Sequence, residues 1–131
     1  MDKHFAAYEL RLLDDTEEIE IETVRSDTKE AQRAVVWVVV VDCEAYVRSV
    51  NGAQGHWFQQ LAANPRGAIY AEDQQMPIRA VPVSDSDIQL KVSEAYARKY
   101  AFYPQDVAWM VGPEVLSTTL RLEPRPPGAS E

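Results

Sequence analysis

The stretch Ala34-Val35-Val36-Trp37-Val38-Val39-Val40-Val41-Asp42-Cys43-Glu44-Ala45-Tyr46-Val47-Arg48-Ser49-Val50 decides the fold. Residues 34–41 are apolar at every position and rich in β-branched side chains, which fit a pleated ladder better than a helix. A strand apolar on both faces reads as central to its sheet. The run breaks at Asp42-Cys43-Glu44 and resumes over 45–50, so the short gap predicts an antiparallel hairpin. Two-residue hairpins favour glycine because φ is positive there; with Cys43 in that place, the turn is expected to be longer or slightly strained.

Upstream, residues 3–13 read as a short helix, with Phe5, Tyr8 and Leu12 at helical spacing. Residues 18–24 alternate: Ile19, Ile21 and Thr23 share one face and Glu18, Glu20 and Glu22 the other, as in a half-buried strand. Residues 25–33 are polar and read as a loop. Downstream, the loop 51–55 leads into a helix over 56–63, closed by Asn64-Pro65, with Trp57 and Leu61 four apart. Two strands are expected over 68–71 and 78–83, the second pushed to an edge because Pro77 and Pro82 donate nothing to a ladder. Ser84 or Ser86 can cap a helix running to about residue 101. A helical turn after Pro104 and a last strand over 115–122, burying Leu116, Leu120 and Leu122, complete the order. Six strands joined early by hairpins, with three helices at the periphery, make an α+β domain built as a small, mainly antiparallel barrel or half-barrel. The domain spans 1–123, and the Pro-rich end, 124–131, reads as a flexible tail.

The chain has 131 residues, 46% of them hydrophobic and 26% charged, which suits one globular domain. The longest apolar stretch falls far below the roughly 20 residues that span a bilayer, so no membrane partner is expected. The start shows no signal-peptide pattern, and the one cysteine, Cys43, suits a reducing, cytoplasmic compartment. Residues 1–30 hold ten acids against four bases, a net of −6 out of the −8 of the whole chain. Without clustered Lys and Arg, nucleic acid is excluded as a partner.

No Gly-rich phosphate loop, Cys pair or His-Glu-x-x-His motif occurs, and His4 and His56 are too distant in sequence to suggest a metal site. Lys99 falls near the centre of the stripe formed by Ile88, Val92, Ala95 and Tyr96. There a lysine either snorkels past the helix end or meets an anion, internal or from a ligand. Arg48-Ser49 closes the hairpin just before a helix N-terminus. That junction can offer a planar fork and backbone N–H groups to phosphate or carboxylate; a surface arginine beside the acidic first strand explains it equally. Trp37 and Trp57 read as core aromatics or as faces on which a flat ligand stacks.

These residues resemble a family. The segment Val36-Trp37-Val38-Val39-Val40-Val41-Asp42 through Ala45-Tyr46-Val47-Arg48-Ser49-Val50, then Gly52, Gly55 and Trp57, and later Tyr96-Ala97-Arg98-Lys99-Tyr100 and Thr119-Leu120-Arg121-Leu122, is similar to a small bacterial family of unknown function. That family looks like a branch of the split β-barrel group, with its pyridoxamine-phosphate-oxidase-like flavoproteins and deazaflavin-dependent nitroreductases. The resemblance implies a six-stranded split β-barrel with three peripheral helices, a homodimer, and FMN or a deazaflavin held in a groove near the subunit interface. It implies cofactor contacts at Arg48, Ser49, Trp57, Lys99, Tyr100 and Arg33, with Arg48 and Lys99 converging on the barrel mouth. Where the nitroreductases carry a Gly-rich basic segment, this chain has Arg25-Ser26-Asp27-Thr28-Lys29-Glu30-Ala31-Gln32-Arg33, in which Lys29 and Arg33 remain as contacts. Two functions follow: a flavin- or deazaflavin-binding oxidoreductase, or a cofactor-free dimeric barrel that binds a small molecule or a protein partner.

Overall fold

The computed structural model describes residues 4–25 and 27–125. Among them, seven strands and five helices follow the order α1 (Ala7–Asp15), β1 (Ile19–Val24), β2 (Ala31–Val36), β3 (Val38–Val41), β4 (Glu44–Val47), α2 (His56–Ala63), β5 (Arg66–Ala71), β6 (Gln74–Pro82), α3 (Ser86–Lys99), α4 (Pro104–Met110), α5 (Pro113–Leu116) and β7 (Leu120–Pro124). The seven-stranded sheet runs β2-β1-β5-β6-β7-β4-β3, and every pairing is antiparallel. Its two outermost strands, β2 and β3, are consecutive in the chain and separated by Trp37 alone, so the sheet curls round on itself. All seven strands send side chains into one core, among them Ile21, Val36, Val38, Val47, Ile69, Ile78 and Leu122, with Leu13 of α1 and Leu61 of α2 closing its ends.

The apolar run 34–41 is therefore two strands, and neither is central. Its two-sided apolarity has another cause: β3 lies between two cores. Val38 faces the barrel interior. Val39 joins a second cluster outside it with Tyr46, Val92, Tyr96, Tyr100 and Met110 under α3 and α4. Splitting this run raises the strand number from the expected six to seven. Two short helices that begin at Pro104 and Pro113, where proline suits the first turn, raise the helices from three to five.

The expectation that Pro77 and Pro82 place their strand at an edge is overturned: β6 is paired on both sides, with β5 and β7. Pro77 accepts from the Arg125 amide just past the end of β7, so its missing N–H faces the end of that ladder. Pro82 is the last residue of β6 and shares parity with Ala80, whose amide reaches Pro65, so it faces the space before β5 begins. Smaller corrections have local reasons. Helix α1 starts at Ala7, leaving Phe5 buried ahead of it and Tyr8 exposed. Ladder pairing with β1 and β6 extends β2 back to Ala31 and β5 back to Arg66. Asp85, not Ser84 or Ser86, caps α3 by accepting from the Ile88 amide. Val115 and Leu116 lie in α5, so β7 begins at Leu120. The Asp42-Cys43 turn is the strained alternative: a two-residue turn with φ of 50° and 67° at non-glycine residues. Of the expected tail, residues 126–131 lie outside the described residues, as does residue 3 of the first helix; Pro124 still belongs to β7.

Candidate functional site

A groove of about 210 Å³ opens where β2, β4, α2 and α4 meet. Trp37 and Trp57 line it with Val35, Val36, Val50 and Met110; Arg48 also lines it, and Glu18 and Asp106 supply its carboxylates. Trp37 is set by stacking on Tyr100, with ring centres 3.9 Å apart and planes 2° from parallel. Tyr100 is itself pinned by donating its hydroxyl to the carbonyls of Glu17 (2.7 Å) and Val38 (3.2 Å), and burial pushes its phenol up. Trp57 stands in the first turn of α2, edge-on to Phe58. Gly55 fixes that turn: a Cβ there would collide with Ser49 Oγ. The buried Ser49 thus acts as a spacer between β4 and α2, its amide donating to Thr118 Oγ1.

Trp57 also lines a neighbouring cavity of about 440 Å³ with Arg33, His56 and Gln60. His56 and Gln60 in turn line a third cavity with Arg25. Shared lining residues set the three side by side as a track, with two indoles beside the carboxylates of Glu18 and Asp106 in the first cavity, Arg33 in the second, and Arg25 paired with Asp27 (3.1 Å) in the third. Arg33 pairs with Glu22 (3.1 Å) and Glu20 (3.3 Å) on the exposed sheet face and lies 3.7 Å from the Tyr70 ring centre.

Arg48 is 1% exposed, and its five N–H groups each have an internal acceptor. Nε donates to Thr119 Oγ1 (2.9 Å), one terminal nitrogen to Ser93 Oγ and Met110 O (both 2.9 Å), and the other to Gln89 O (3.0 Å) and Gln89 Oε1 (2.9 Å). No acceptor is a carboxylate, and burial pushes the guanidinium down. Arg48 thereby ties β4 to α3, to the end of α4 and to the start of β7.

Lys99 meets neither bulk water alone nor an anion. Its ammonium donates to Leu13 O (2.8 Å), among the last carbonyls of α1, and to Val38 O (2.6 Å). Tyr96 donates to Trp37 O (2.7 Å) beside it, so side chains of α3 serve the carbonyls at the break between β2 and β3. Burial brings Lys99 down to about 8, against the opposing pull of Asp14, Asp15 and Glu17. Lys99 and Arg48 do not converge: Lys99 lines a separate cavity with Asp14 and Arg98. Of the expected site residues, the track brings together Arg48, Trp57 and Arg33; Ser49 and Tyr100 lie behind its wall and Lys99 lies elsewhere. Val35, Val50, Asp106 and Met110 were not anticipated. Gln89 and Ser93, a polar pair four apart beside the apolar stripe of α3, were a readable sign that something polar packs there.

A curled antiparallel sheet whose first and last strands are consecutive, with α2 laid beside the opening, defines a split-barrel protein. Solved structures share this fold at low sequence identity. HutZ, the heme storage protein from Vibrio cholerae, aligns with a TM-score of 0.70 at 13% identity, covering 92% of this chain and 90% of its own. An F420-H2 dependent reductase aligns at 0.63 and 12%, covering 82% and 94%. A putative pyridoxamine 5'-phosphate oxidase from Listeria innocua aligns at 0.61 and 12%, covering 92% and 91%. No curated protein matches the sequence. Residues 9–122 match the model of DUF2255, "Uncharacterized protein conserved in bacteria", and the chain belongs to that family.

Proposed function

We propose that this chain is a flavin- or deazaflavin-binding oxidoreductase, with the planar ring of the cofactor against Trp37 and Trp57 and its polar tail running past His56 and Gln60 toward Arg33. The observation that carries the reading is a pair of cavities that share Trp57 in their lining, one walled by two indoles and the other holding Arg33. A cofactor of this class supplies hydride transfer, while the protein supplies position and electrostatics. At the ring end two indoles and four apolar side chains offer a stacking surface beside the carboxylates of Glu18 and Asp106. At the tail end Arg33 fits, since exposed ion pairs such as those with Glu20 and Glu22 are weak and re-pair readily. Arg48 has no donor left for a phosphate, so its part is to hold the groove wall. The fold likeness to a reductase and an oxidase supports the reading by analogy alone.

The test is a titration of the purified protein with FMN, riboflavin and a deazaflavin, followed by tryptophan fluorescence and ring absorbance. FMN or the deazaflavin is expected to bind, with at least tenfold loss in Trp57→Ala and a loss in Arg33→Ala that riboflavin does not share. Failure of all three to bind the wild-type protein refutes the proposal. Glu18 and Asp106 favour a second reading, a cofactor-free barrel whose groove takes a neutral or cationic planar molecule. Riboflavin binding more tightly than FMN supports that reading. Val35 and Val50, 59% and 52% exposed beside the groove, further suggest that a second copy of the chain covers this face. Sedimentation at micromolar concentration is expected to give a dimer rather than the 14.8 kDa species.

A further inference from the structure

The cavity holding Lys99 lies apart from the groove and is used by nothing above. It measures about 260 Å³ and is lined by Val39 and Val40 of β3, by Asp14 of α1, and by Ala95, Arg98 and Lys99 of α3. The charged or titratable groups around the ammonium are Asp14, Asp15 and Glu17 from α1 and the segment after it, with Arg98 from α3 and Tyr100 just past its end; β3 presents only valines to the cavity.

Nζ makes two hydrogen bonds. Its two acceptors are neutral carbonyls, Leu13 O and Val38 O, rather than carboxylates. A neutral amine has two N–H groups, and both can keep these acceptors, so loss of the third proton breaks neither bond and leaves a lone pair on nitrogen. Both bonds therefore survive deprotonation, and burial favours the amine against the pull of Asp14, Asp15 and Glu17 toward the ammonium. An uncharged lysine that lines a cavity is a nucleophile.

We propose that Lys99 is a carbonyl-condensing amine, and that the cavity it shares with Arg98 and Asp14 takes a small oxo acid. The exposed guanidinium of Arg98 is a planar fork for the acid's carboxylate. In the condensation the Nζ lone pair forms a bond to the carbonyl carbon. The carbonyl oxygen leaves as water with the two N–H protons of the amine, and one proton taken up from solvent makes the remaining imine cationic. Its single N–H retains one of the two carbonyl acceptors, and Asp14 places negative charge beside the positive imine.

The experiment is reductive trapping of the folded, full-length protein at pH 8 with cyanoborohydride, using glyoxylate as the oxo acid and acetaldehyde as its counterpart without a carboxylate. Peptide mass spectrometry then reads the modification of each lysine. At this pH an ordinary lysine is almost wholly protonated, whereas burial favours the uncharged amine at Lys99, so Lys99 is expected to be labelled at least tenfold faster than the exposed Lys29 and Lys91. Glyoxylate is expected to outpace acetaldehyde at Lys99 alone, and Arg98→Ala to remove that preference while leaving acetaldehyde labelling in place. A merely structural, shielded lysine gives the opposite order, with Lys99 slowest. Labelling of Lys99 no faster than of Lys29 and Lys91, or equal rates for the two aldehydes, overturns the proposal. The comparison among lysines of one folded protein needs no variant, and it is independent of whether the groove binds a cofactor.

Discussion

Substituting Arg48 by methionine removes five hydrogen bonds and one buried charge together, and the structure determines which dominates. Counting each bond to a charged group at about 1.5–3 kcal/mol would exceed the stability of many domains, so the acceptors must be followed individually. The hydroxyls of Ser93 and Thr119 can rotate. Gln89 Oε1 keeps its bond from the Thr119 hydroxyl (2.8 Å), and Gln89 O keeps its place in the helical ladder of α3. Met110 O, at the C-terminal end of α4, has no helical amide to turn to and is orphaned at a cost of about 1–3 kcal/mol. The lost bonds to the other acceptors add a few kcal/mol, and relief of the desolvated charge returns a comparable amount. The expected net loss is about 3 kcal/mol. With a urea m-value of about 2 kcal/mol/M, the midpoint of unfolding followed by circular dichroism falls by about 1.5 M. Arg48→Lys should fare no better, because an ammonium offers three donors where five acceptors wait and keeps the desolvation cost. A methionine variant within about 0.5 kcal/mol of wild type, or a lysine variant that restores stability, refutes the account of Arg48 as a tie between β4, α3, α4 and β7.

At the β3–β4 turn, Cys43→Gly relieves a positive φ at a residue with a Cβ; offset by the entropy of a freer unfolded chain, it should stabilise by about 0.5 kcal/mol, roughly 2 °C in Tm. No rise in Tm would mean the turn is not strained. Gly55→Ala forces a methyl group against Ser49 Oγ and should cost about 1–3 kcal/mol, with a shift in Trp57 emission as α2 moves; an alanine variant identical in urea denaturation and in emission contradicts that contact. The folded chain holds Lys99 near 8 against an ordinary 10.5, so between these values the unfolded chain binds more protons and stability rises with pH. This contribution is full above 10.5 and lost as pH falls through 8. Tyr96 and Tyr100, kept protonated by burial, act in the opposite sense above their ordinary 10.0, so the clean window is pH 8 to 10. The wild-type protein should gain stability across it relative to Lys99→Met; parallel stability–pH curves would show that Lys99 is not desolvated.

Local pattern alone was enough for much of this molecule. The alternation of Ile19, Ile21 and Thr23 with glutamates marks β1, and the spacing of Trp57 and Leu61 before Asn64-Pro65 marks α2 with its observed ends. The interruption at Asp42-Cys43 marks a tight hairpin, because turn chemistry and side-chain periodicity are properties of neighbouring residues. Placement in the sheet was not legible in this way. The valines of β3 are apolar on both faces whether a second strand or a helix covers the outer one, and only the packing of α3 distinguishes the two. The prolines of β6 sit in a central strand because each missing N–H falls where a neighbouring ladder has ended, which depends on the lengths of β5 and β7. The site divides likewise. Arg48 and Lys99 stood out as charges in apolar surroundings, but their acceptors lie up to 71 and 86 residues away. Burial obliges such a charge to find partners; which ones it finds is decided when distant segments close around it.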